Sequence, residues 1–176
     1  MGTSRYCRHG FPGRAKGRDW QTRAVVDAIP QRASRQALTR IDFYVLPRDG
    51  SLGMISAVGR IADKAAAKGH RIFVQVKDET QGADFQHGLW AFRPEAFLPH
   101  SIQGSKIDET VIIGWDAPAQ DHDDVMINTT GAIPDHFSRF RRLIEMVQHD
   151  EVNLAASREA WRFYRDRGYP LTKHDL

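Results

Sequence analysis

The feature that most constrains the fold is a strand signal followed by a helix signal and a second strand signal. The first signal, IDFYVL at residues 41–46, is rich in β-branched and aromatic residues. Apolar residues then recur at helical spacing over residues 55–65, with Ser51 placed to cap the helix and Gly69 to end it. RIFVQV at residues 71–76 is the second strand signal. This order predicts two parallel strands joined by a right-handed crossover.

The alternation continues toward the C-terminus. VIIGW at residues 111–115 and VMINT at residues 125–129 indicate two further strands. Pro134-Asp135 is typical of a helix start, and Asp150 begins a last helix that ends at Gly168. The apolar face predicted for the helix after Pro134-Asp135 consists of Phe137, Phe140, Leu143, Ile144 and Val147. The fold class expected is α/β, with three layers, a mostly parallel sheet and a Rossmann-like topology of the nucleotide-binding type.

Composition indicates one globular domain. The chain has 176 residues, of which 41% are hydrophobic and 27% charged. Its single cysteine, Cys7, cannot pair within the chain, so the fold does not depend on disulfides and suits a reducing compartment. No apolar run approaches transmembrane length, and the first thirty residues lack the apolar stretch of a signal peptide. We therefore expect a cytoplasmic protein without membrane contact.

Basic residues are concentrated at the N-terminus. Residues 1–40 carry a net charge of +7, whereas residues 41–176 carry −4. This division predicts a basic, disordered extension over residues 1–37 and the α/β domain over residues 38–176. One alternative is an extension that contacts phosphates, which would make the chain a direct nucleic-acid-binding protein. Another is a misplaced start at Met1, because the regular pattern begins abruptly near Leu38 and a bacterial start codon can be one that otherwise encodes leucine.

The sequence lacks the motifs that equip such a sheet for catalysis. The turn after the first strand, residues 48–53, has two glycines but neither a GxGxxG nor a GxxxxGK[ST] loop, which argues against a nucleotide site. No nucleophile elbow, HExxH motif or carboxylate pair is present. Residues 121–124, DHDD, could be drawn as metal ligands, but a solvated acidic loop is the usual outcome of such a segment. We expect no enzyme activity, no cofactor and no metal.

The last helix has an unusual arrangement of side chains. At 100° per residue, Trp161 shares a face with Leu154, Arg158, Arg162 and Arg165. The predicted core face, opposite, consists of Val152, Ala156, Ala160 and Phe163. A tryptophan among three guanidinium groups suits a ligand that is both aromatic and anionic. The alternative is a solvated charged face whose tryptophan leans on a neighbouring helix.

Three segments together resemble the chi subunit of bacterial DNA polymerase III holoenzyme, the HolC family. They are IDFYVL, LWAFRPEAFLPH at residues 89–100 and REAWRFYRDRGYPL at residues 158–171, and the resemblance covers about residues 40–171. It implies a non-enzymatic accessory protein with a nucleotide-binding-like fold that uses no nucleotide. The implied partners are the psi subunit of the clamp loader, the C-terminal tail of single-stranded DNA-binding protein (SSB) and, through the psi surface, a repair helicase related to the XPD family. DNA is then reached mainly through SSB.

The resemblance assigns an SSB-tail site to Val147, Arg158, Trp161, Arg162 and Arg165. The tail is acidic and ends in phenylalanine, so a guanidinium fork can bind its carboxylate while Trp161 covers an apolar slot. The family often has tyrosine and lysine where Trp161 and Arg162 stand, and these differences preserve the chemistry. In some members a basic residue stands at the position of Leu154, so one positive charge is missing here.

The same resemblance assigns the psi or helicase surface to Trp90 and Phe97, in the segment LWAFRPEAFLPH. Prolines in this segment suit a fixed, loop-like ridge. The alternative is that its apolar residues are core, and for Leu89 and Phe92 we favour that interpretation.

Overall fold

The α/β unit of the computed structural model extends from Ala37 to Leu176. The structure describes residues 38–92, 97–106, 109–117 and 122–176, so the predictions for residues 1–37 lie outside the described residues. The strands are β1 Arg40–Val45, β2 Ile72–Gln75, β3 His100–Ile102, β4 Val111–Gly114, β5 Val125–Asn128, β6 Arg142–Val147 and β7 Leu171–Asp175. The helices are α1 Met54–Ala66, α2 Glu79–Ala91 and α3 Glu151–Asp166, with a 3-10 turn at Phe137–Arg139. None of the described helices is long and apolar enough to cross a membrane.

The seven strands form one sheet in the order β3-β4-β2-β5-β6-β1-β7. Every pair of neighbours is parallel. Helices cover both faces of the sheet, which confirms the predicted three-layer α/β class. The predicted crossover from β1 to β2 joins two parallel strands, but the two do not pair, because β5 and β6 lie between them.

The prediction of a helix after Pro134 is wrong. The chain there makes only the 3-10 turn and then enters β6. Leu143 and Val147 belong to the core cluster on one face of the sheet and Ile144 to the cluster on the other face. A strand buried on both faces reads as a continuous apolar run, which over a short stretch also fits helical spacing.

Helices α1 and α2 pack together on one face of the sheet through two glycines. A Cβ at Gly59 would lie 2.6 Å from the ring of Phe92, and a Cβ at Gly88 would lie 2.6 Å from the side chain of Ile55. Gly53, rather than the predicted Ser51, is the N-cap of α1. The small glycines therefore allow Phe92, at the C-cap of α2, to lie against the backbone of α1, and Ile55 of α1 to lie against the backbone of α2.

Three elements have no counterpart among the predictions: α2, β3 and β7. The start of α2 could have been predicted from Asp78, since aspartate is a preferred N-cap residue. Its side chain caps α2 by accepting a hydrogen bond from the Gln81 backbone N–H at 2.8 Å. Gln81 in turn accepts from the Lys77 N–H at 2.7 Å. The edge strand β7 is polar, with the sequence LTKHD, so it lacks the apolar pattern by which strands are recognised.

Helix α3 begins at the predicted cap, where the Asp150 side chain accepts from the Asn153 N–H at 2.9 Å. Its predicted core face is partly wrong. Ala160 is buried as expected, but Val152 is 79% exposed and Tyr164 is fully buried. The buried face of α3 is therefore rotated toward Trp161. Trp161 is half-buried at the border of this face, whereas the prediction put it on the opposite side of the helix.

Candidate functional site

A pocket of about 310 Å³ lies between α3 and the strands β1 and β6. We call it the α3 pocket. Its lining residues are Phe43, Val45, Val147, Leu154, Ser157, Arg158, Trp161, Arg162, Arg165 and Lys173. Apolar side chains form its floor and cationic side chains its rim.

The floor follows from the period of a β-strand. Phe43 and Val45 are two residues apart on β1, so both side chains point to the α3 face. Val45 pairs with Val147, the last residue of β6, which extends the apolar surface by one strand. The Trp161 ring packs on Phe43 with the ring centroids 5.0 Å apart and the planes at 55°. The slot is therefore bounded by one aromatic ring from the helix and one from the sheet.

The rim consists of three arginines and a lysine. Arg158, Arg162 and Arg165 are four and three residues apart, which places them along one side of α3. Lys173 comes from β7, where it pairs with Phe43 and so points to the same face of the sheet. No carboxylate side chain lines the pocket.

Two of these cations have no competing ion pair. Arg165 pairs with Asp166 at 2.9 Å, and Lys173 pairs with Asp175 at 2.8 Å. Arg158 and Arg162 are exposed, and across the described ranges no carboxylate lies within ion-pair distance of either guanidinium. These two side chains are available to bind an anion.

A buried hydrogen-bond network holds α3 against the sheet. The Tyr164 hydroxyl donates to Glu145 Oε1 at 2.7 Å, and the Asn128 amide donates to Glu145 Oε2 at 2.8 Å. Burial raises the pKa of Glu145 to about 7, although both hydrogen bonds act to lower it. The network fixes the rotation of α3 and with it the direction of the arginine row.

A second exposed apolar feature lies at the end of α2. Trp90 is 55% exposed and Phe97 is 74% exposed, and their ring centroids are 5.9 Å apart. Trp90 also contacts the ring of His100, which is held between the carbonyl oxygens of Leu98 and Gln86. We call this pair of exposed rings the α2 aromatic pair.

Core packing explains why these rings face outward. Leu89 is buried and Phe92 is partly buried against α1, as predicted for both. Trp90, next to Leu89 on the helix, is then directed to solvent. The predicted loop-like ridge is wrong for Trp90, which is in the last turn of α2, whereas Phe97 precedes β3.

The α3 pocket and the α2 aromatic pair lie on opposite sides of the domain. Helix α3 packs on one face of the sheet beside β1, β6 and β7, and α2 packs on the other face beside β3 and β4. Four or five strand spacings of about 4.8 Å separate β6 and β1 from β3, so the two sites are on the order of 20–25 Å apart. Two partners could occupy them together.

The structure brings together all five residues that the sequence analysis assigned to one site: Val147, Arg158, Trp161, Arg162 and Arg165. Four further lining residues were missed, namely Phe43, Val45, Ser157 and Lys173. Alternation along IDFYVL could have identified the first two. No strand was predicted after Pro170, so nothing placed Lys173 on the sheet.

The acidic segment at residues 121–124 is not simply solvated. His122 is 1% exposed, and Asp124 pairs with Arg141 at 3.1 Å and accepts from the Arg71 backbone N–H. Asp121 lies outside the described residues. Among the residues that the structure describes, no three His, Cys, Asp or Glu side chains are grouped so that they could hold a metal ion.

Comparison with known proteins points to one family. Residues 38–172 match the family model described as DNA polymerase III chi subunit, HolC. The chain is 36% identical over 139 residues to the DNA polymerase III subunit chi of Pseudomonas aeruginosa, covering 79% of this chain and 98% of that protein. The subunit chi of Escherichia coli is 26% identical over 136 residues, covering 73% and 92%. That of Haemophilus influenzae is 23% identical over 137 residues, covering 76% and 95%.

The fold also resembles part of a larger protein. A chain in the crystal structure of T4 UvsW superposes with a TM-score of 0.56 at 8% sequence identity, covering 78% of this chain and 41% of that chain. This chain thus corresponds to about two fifths of the length of that one. At such low identity the likeness concerns the fold alone.

Proposed function

The chain belongs to the family of DNA polymerase III chi subunits, and from that premise we propose that it links two components of the replication machinery. As an accessory subunit of DNA polymerase III, it binds the C-terminal tail of SSB in the α3 pocket. The α2 aromatic pair binds the psi subunit of the clamp loader, or a repair helicase related to the XPD family. The protein then reaches single-stranded DNA mainly through SSB.

The observation that carries the SSB proposal is the combination of an apolar slot and unpaired guanidinium groups in one pocket. Trp161 and Phe43 suit the terminal phenylalanine ring of the tail. Arg158 suits the terminal carboxylate, because its planar fork can donate two parallel hydrogen bonds. Arg162, Arg165 and Lys173 form a cationic surface for the acidic residues upstream.

The psi proposal rests on exposure. Two large aromatic side chains lie in contact with each other and leave more than half of their surface exposed to solvent, and such rings are typical anchors of protein interfaces. An XPD-related helicase that bound the same rings would compete with psi, because one pair of rings cannot serve both partners at once.

The proposed role requires binding energy only. It involves no catalytic side chain, cofactor or metal, so we infer that the chain is not itself an enzyme. Because its proposed partners act on chromosomal DNA, we propose a cytoplasmic location.

The test is retention of the cognate SSB on the immobilised protein. Intact SSB should be retained, and SSB that lacks its last residues should pass through, because its new terminal carboxylate has no phenylalanine ring beside it. A parallel column that carries the Phe97→Ala variant should retain SSB equally well. Equal retention of intact and truncated SSB would contradict the proposal.

A further inference from the structure

A second pocket lies on the other face of the sheet, between α1 and the strands β1 and β6. Its volume is about 420 Å³, and we call it the α1 pocket. Strand β1 separates the two pockets, with Phe43 pointing to the α3 pocket and Tyr44 to the α1 pocket. The floor of the α1 pocket is largely aliphatic and consists of Tyr44, Leu52, Ala57, Ile61 and Ile144.

Cations dominate the rim of this pocket too. Arg60, Lys64 and Lys68 line it at intervals of four residues, along α1 and just beyond its end, and Arg142 lines it from β6. No Asp or Glu side chain is among the lining residues. The charged side chains among the lining residues are therefore all basic.

The positive charges of the basic row on α1 are not neutralised by ion pairs within the described part of the chain. Arg60, Lys64 and Lys68 are exposed, and within the part of the chain that the structure describes none of them has a carboxylate at ion-pair distance. Like charges four residues apart destabilise a helix by about 0.2–0.5 kcal/mol per pair. The helix dipole offsets this near the C-terminus of α1, where Lys64 and Lys68 lie, but not in the middle, where Arg60 lies.

Arg142 is fixed in place beneath the row. Its Nε donates to Asp42 Oδ2 at 2.5 Å and its Nη2 donates to the Tyr44 hydroxyl at 3.2 Å. Asp42 is buried and also accepts from Arg40 at 3.2 Å. Burial raises the pKa of Asp42, but Arg142 and Arg40, with a hydrogen bond from His174, hold it below its usual value.

The Asp42 carboxylate is therefore shared by two arginines and His174, and it does not cancel the α1 row. It positions Arg142 before any ligand arrives, so that binding costs little additional side-chain conformational entropy.

We propose that the α1 pocket is a second binding site, and that its ligand is an extended acidic peptide segment carrying an apolar side chain. Arg60 and Lys64, four residues apart on α1, are about 6 Å apart along the helix axis, and Lys68 follows just beyond the end of the helix. Alternate side chains of an extended peptide are about 6.6 Å apart, so acidic residues at every second position match the row. The apolar side chain fills the aliphatic floor. This site is separate from the α3 pocket and does not depend on the function proposed for it.

A peptide fits the pocket better than single-stranded nucleic acid does. Sites for single strands combine cations with aromatic rings on which bases stack. Tyr44 is the only Phe, Tyr or Trp in the lining, and its ring is stacked on His174 with the centroids 4.5 Å apart. The rest of the floor is aliphatic, which suits an apolar side chain.

The experiment is an NMR titration of the isotope-labelled full chain with a synthetic peptide in which Asp alternates with Leu. The amide signals of Ile61, Lys64 and Ile144 should shift as the peptide is added. In the double variant Arg60→Glu, Lys64→Glu the apparent affinity read from those signals should fall by about tenfold or more. The matched control Lys77→Glu makes a charge change at an exposed lysine outside the pocket and should behave as the parent does.

Three outcomes would overturn the proposal. The first is that these amide signals stay in place at millimolar peptide, and the second is that the shifts survive in the double variant. The third is that oligothymidylate moves the same signals at physiological salt and the peptide does not, which would identify a nucleic-acid site. The Trp161 indole signal reports the α3 pocket separately in the same spectra, so failure of one pocket does not conceal the other.

Discussion

Trp161 both packs against its own domain and lines a pocket. Its ring rests on Phe43 and is half-buried, yet it also lines the α3 pocket between Arg158 and Arg165. The two interpretations offered by the helical pattern, a ligand site and a tryptophan that packs on its own domain, are therefore compatible. What the pattern could not show is the surface that Trp161 packs on, since that surface is a strand of the sheet rather than a neighbouring helix.

At the α2 aromatic pair, we predict that Phe97→Ala weakens psi binding by about 1–3 kcal/mol, because an exposed aromatic anchor contributes much of a small interface. The melting temperature should hardly change, since Phe97 is 74% exposed. Titration calorimetry with psi measures the effect, and Val152→Ala, at an exposed apolar residue outside both sites, is the matched control. A collapse of the melting temperature would show that Phe97 is a core residue.

The helices and strands differ in how well their local sequence pattern reflects their burial in the fold. Strands β1, β2, β4 and β5 and helices α1 and α3 follow simple periodicity or capping, and the sequence predicts each of them. Strand β6 is buried on both faces and mimics a helix, while β7 is a polar edge strand. The pairing of β7 with β1 sets the position of Lys173. Part of the α3 pocket therefore depends on long-range strand pairing, which cannot be predicted from a local sequence pattern.

The close contact of α1 with α2 gives a stability prediction. Gly59→Ala should lower the free energy of unfolding by about 1–2 kcal/mol, because the new methyl group meets the Phe92 ring and this outweighs the gain in helix propensity. Urea unfolding provides the measurement. In a Phe92→Ala background the same substitution should be neutral or stabilising; an equal loss in both backgrounds would contradict the proposed contact.

The network that holds α3 predicts a pH dependence. The pKa of Glu145 is about 7 in the folded protein, against an ordinary value of 4.5. Between these values the folded chain keeps a proton that the unfolded chain has lost, so the free energy of unfolding falls as the pH rises through this window.

Glu145→Gln removes that titration while keeping an acceptor for Tyr164. Relative to the parent, this variant should gain up to about 3 kcal/mol in free energy of unfolding between pH 4 and pH 8. Urea unfolding of both proteins across this range is the measurement. A difference that does not vary with pH would show that folding leaves the pKa of Glu145 unchanged.

At the scale of the whole molecule, the fold separates its sites. The α3 pocket and the α1 pocket lie on opposite faces beside β1, and the α2 aromatic pair lies toward the other edge of the sheet. A rigid parallel sheet between them suits the proposed role, in which several partners are held at fixed separation. The family resemblance assigned residues to two of these surfaces from the sequence, whereas the α1 pocket becomes visible only when α1 is placed over Tyr44 and Arg142.

The N-terminal segment gives a further prediction at this scale. An Arg- and Gly-rich segment buries too little apolar surface to offset its ordering entropy. Deleting residues 1–37 should therefore leave the melting temperature within a few degrees of the parent value and the affinity for the SSB tail unchanged. Limited proteolysis and calorimetry test this. Unfolding of the shortened chain would refute the boundary near Leu38, and loss of salt-dependent binding to bare single-stranded DNA would support the nucleic-acid alternative.

The central claim is that the α3 pocket binds the SSB tail, and calorimetric titration of the tail peptide into two charge-reversal variants tests it most directly. Arg158→Glu removes a charge-assisted pair and adds repulsion, so binding should weaken by about 2–4 kcal/mol, enough to make a micromolar contact undetectable. Arg167→Glu makes the same change in charge one residue beyond α3 and outside the pocket, and it should bind as the parent does. Equal binding by the parent and the Arg158→Glu variant would contradict the account.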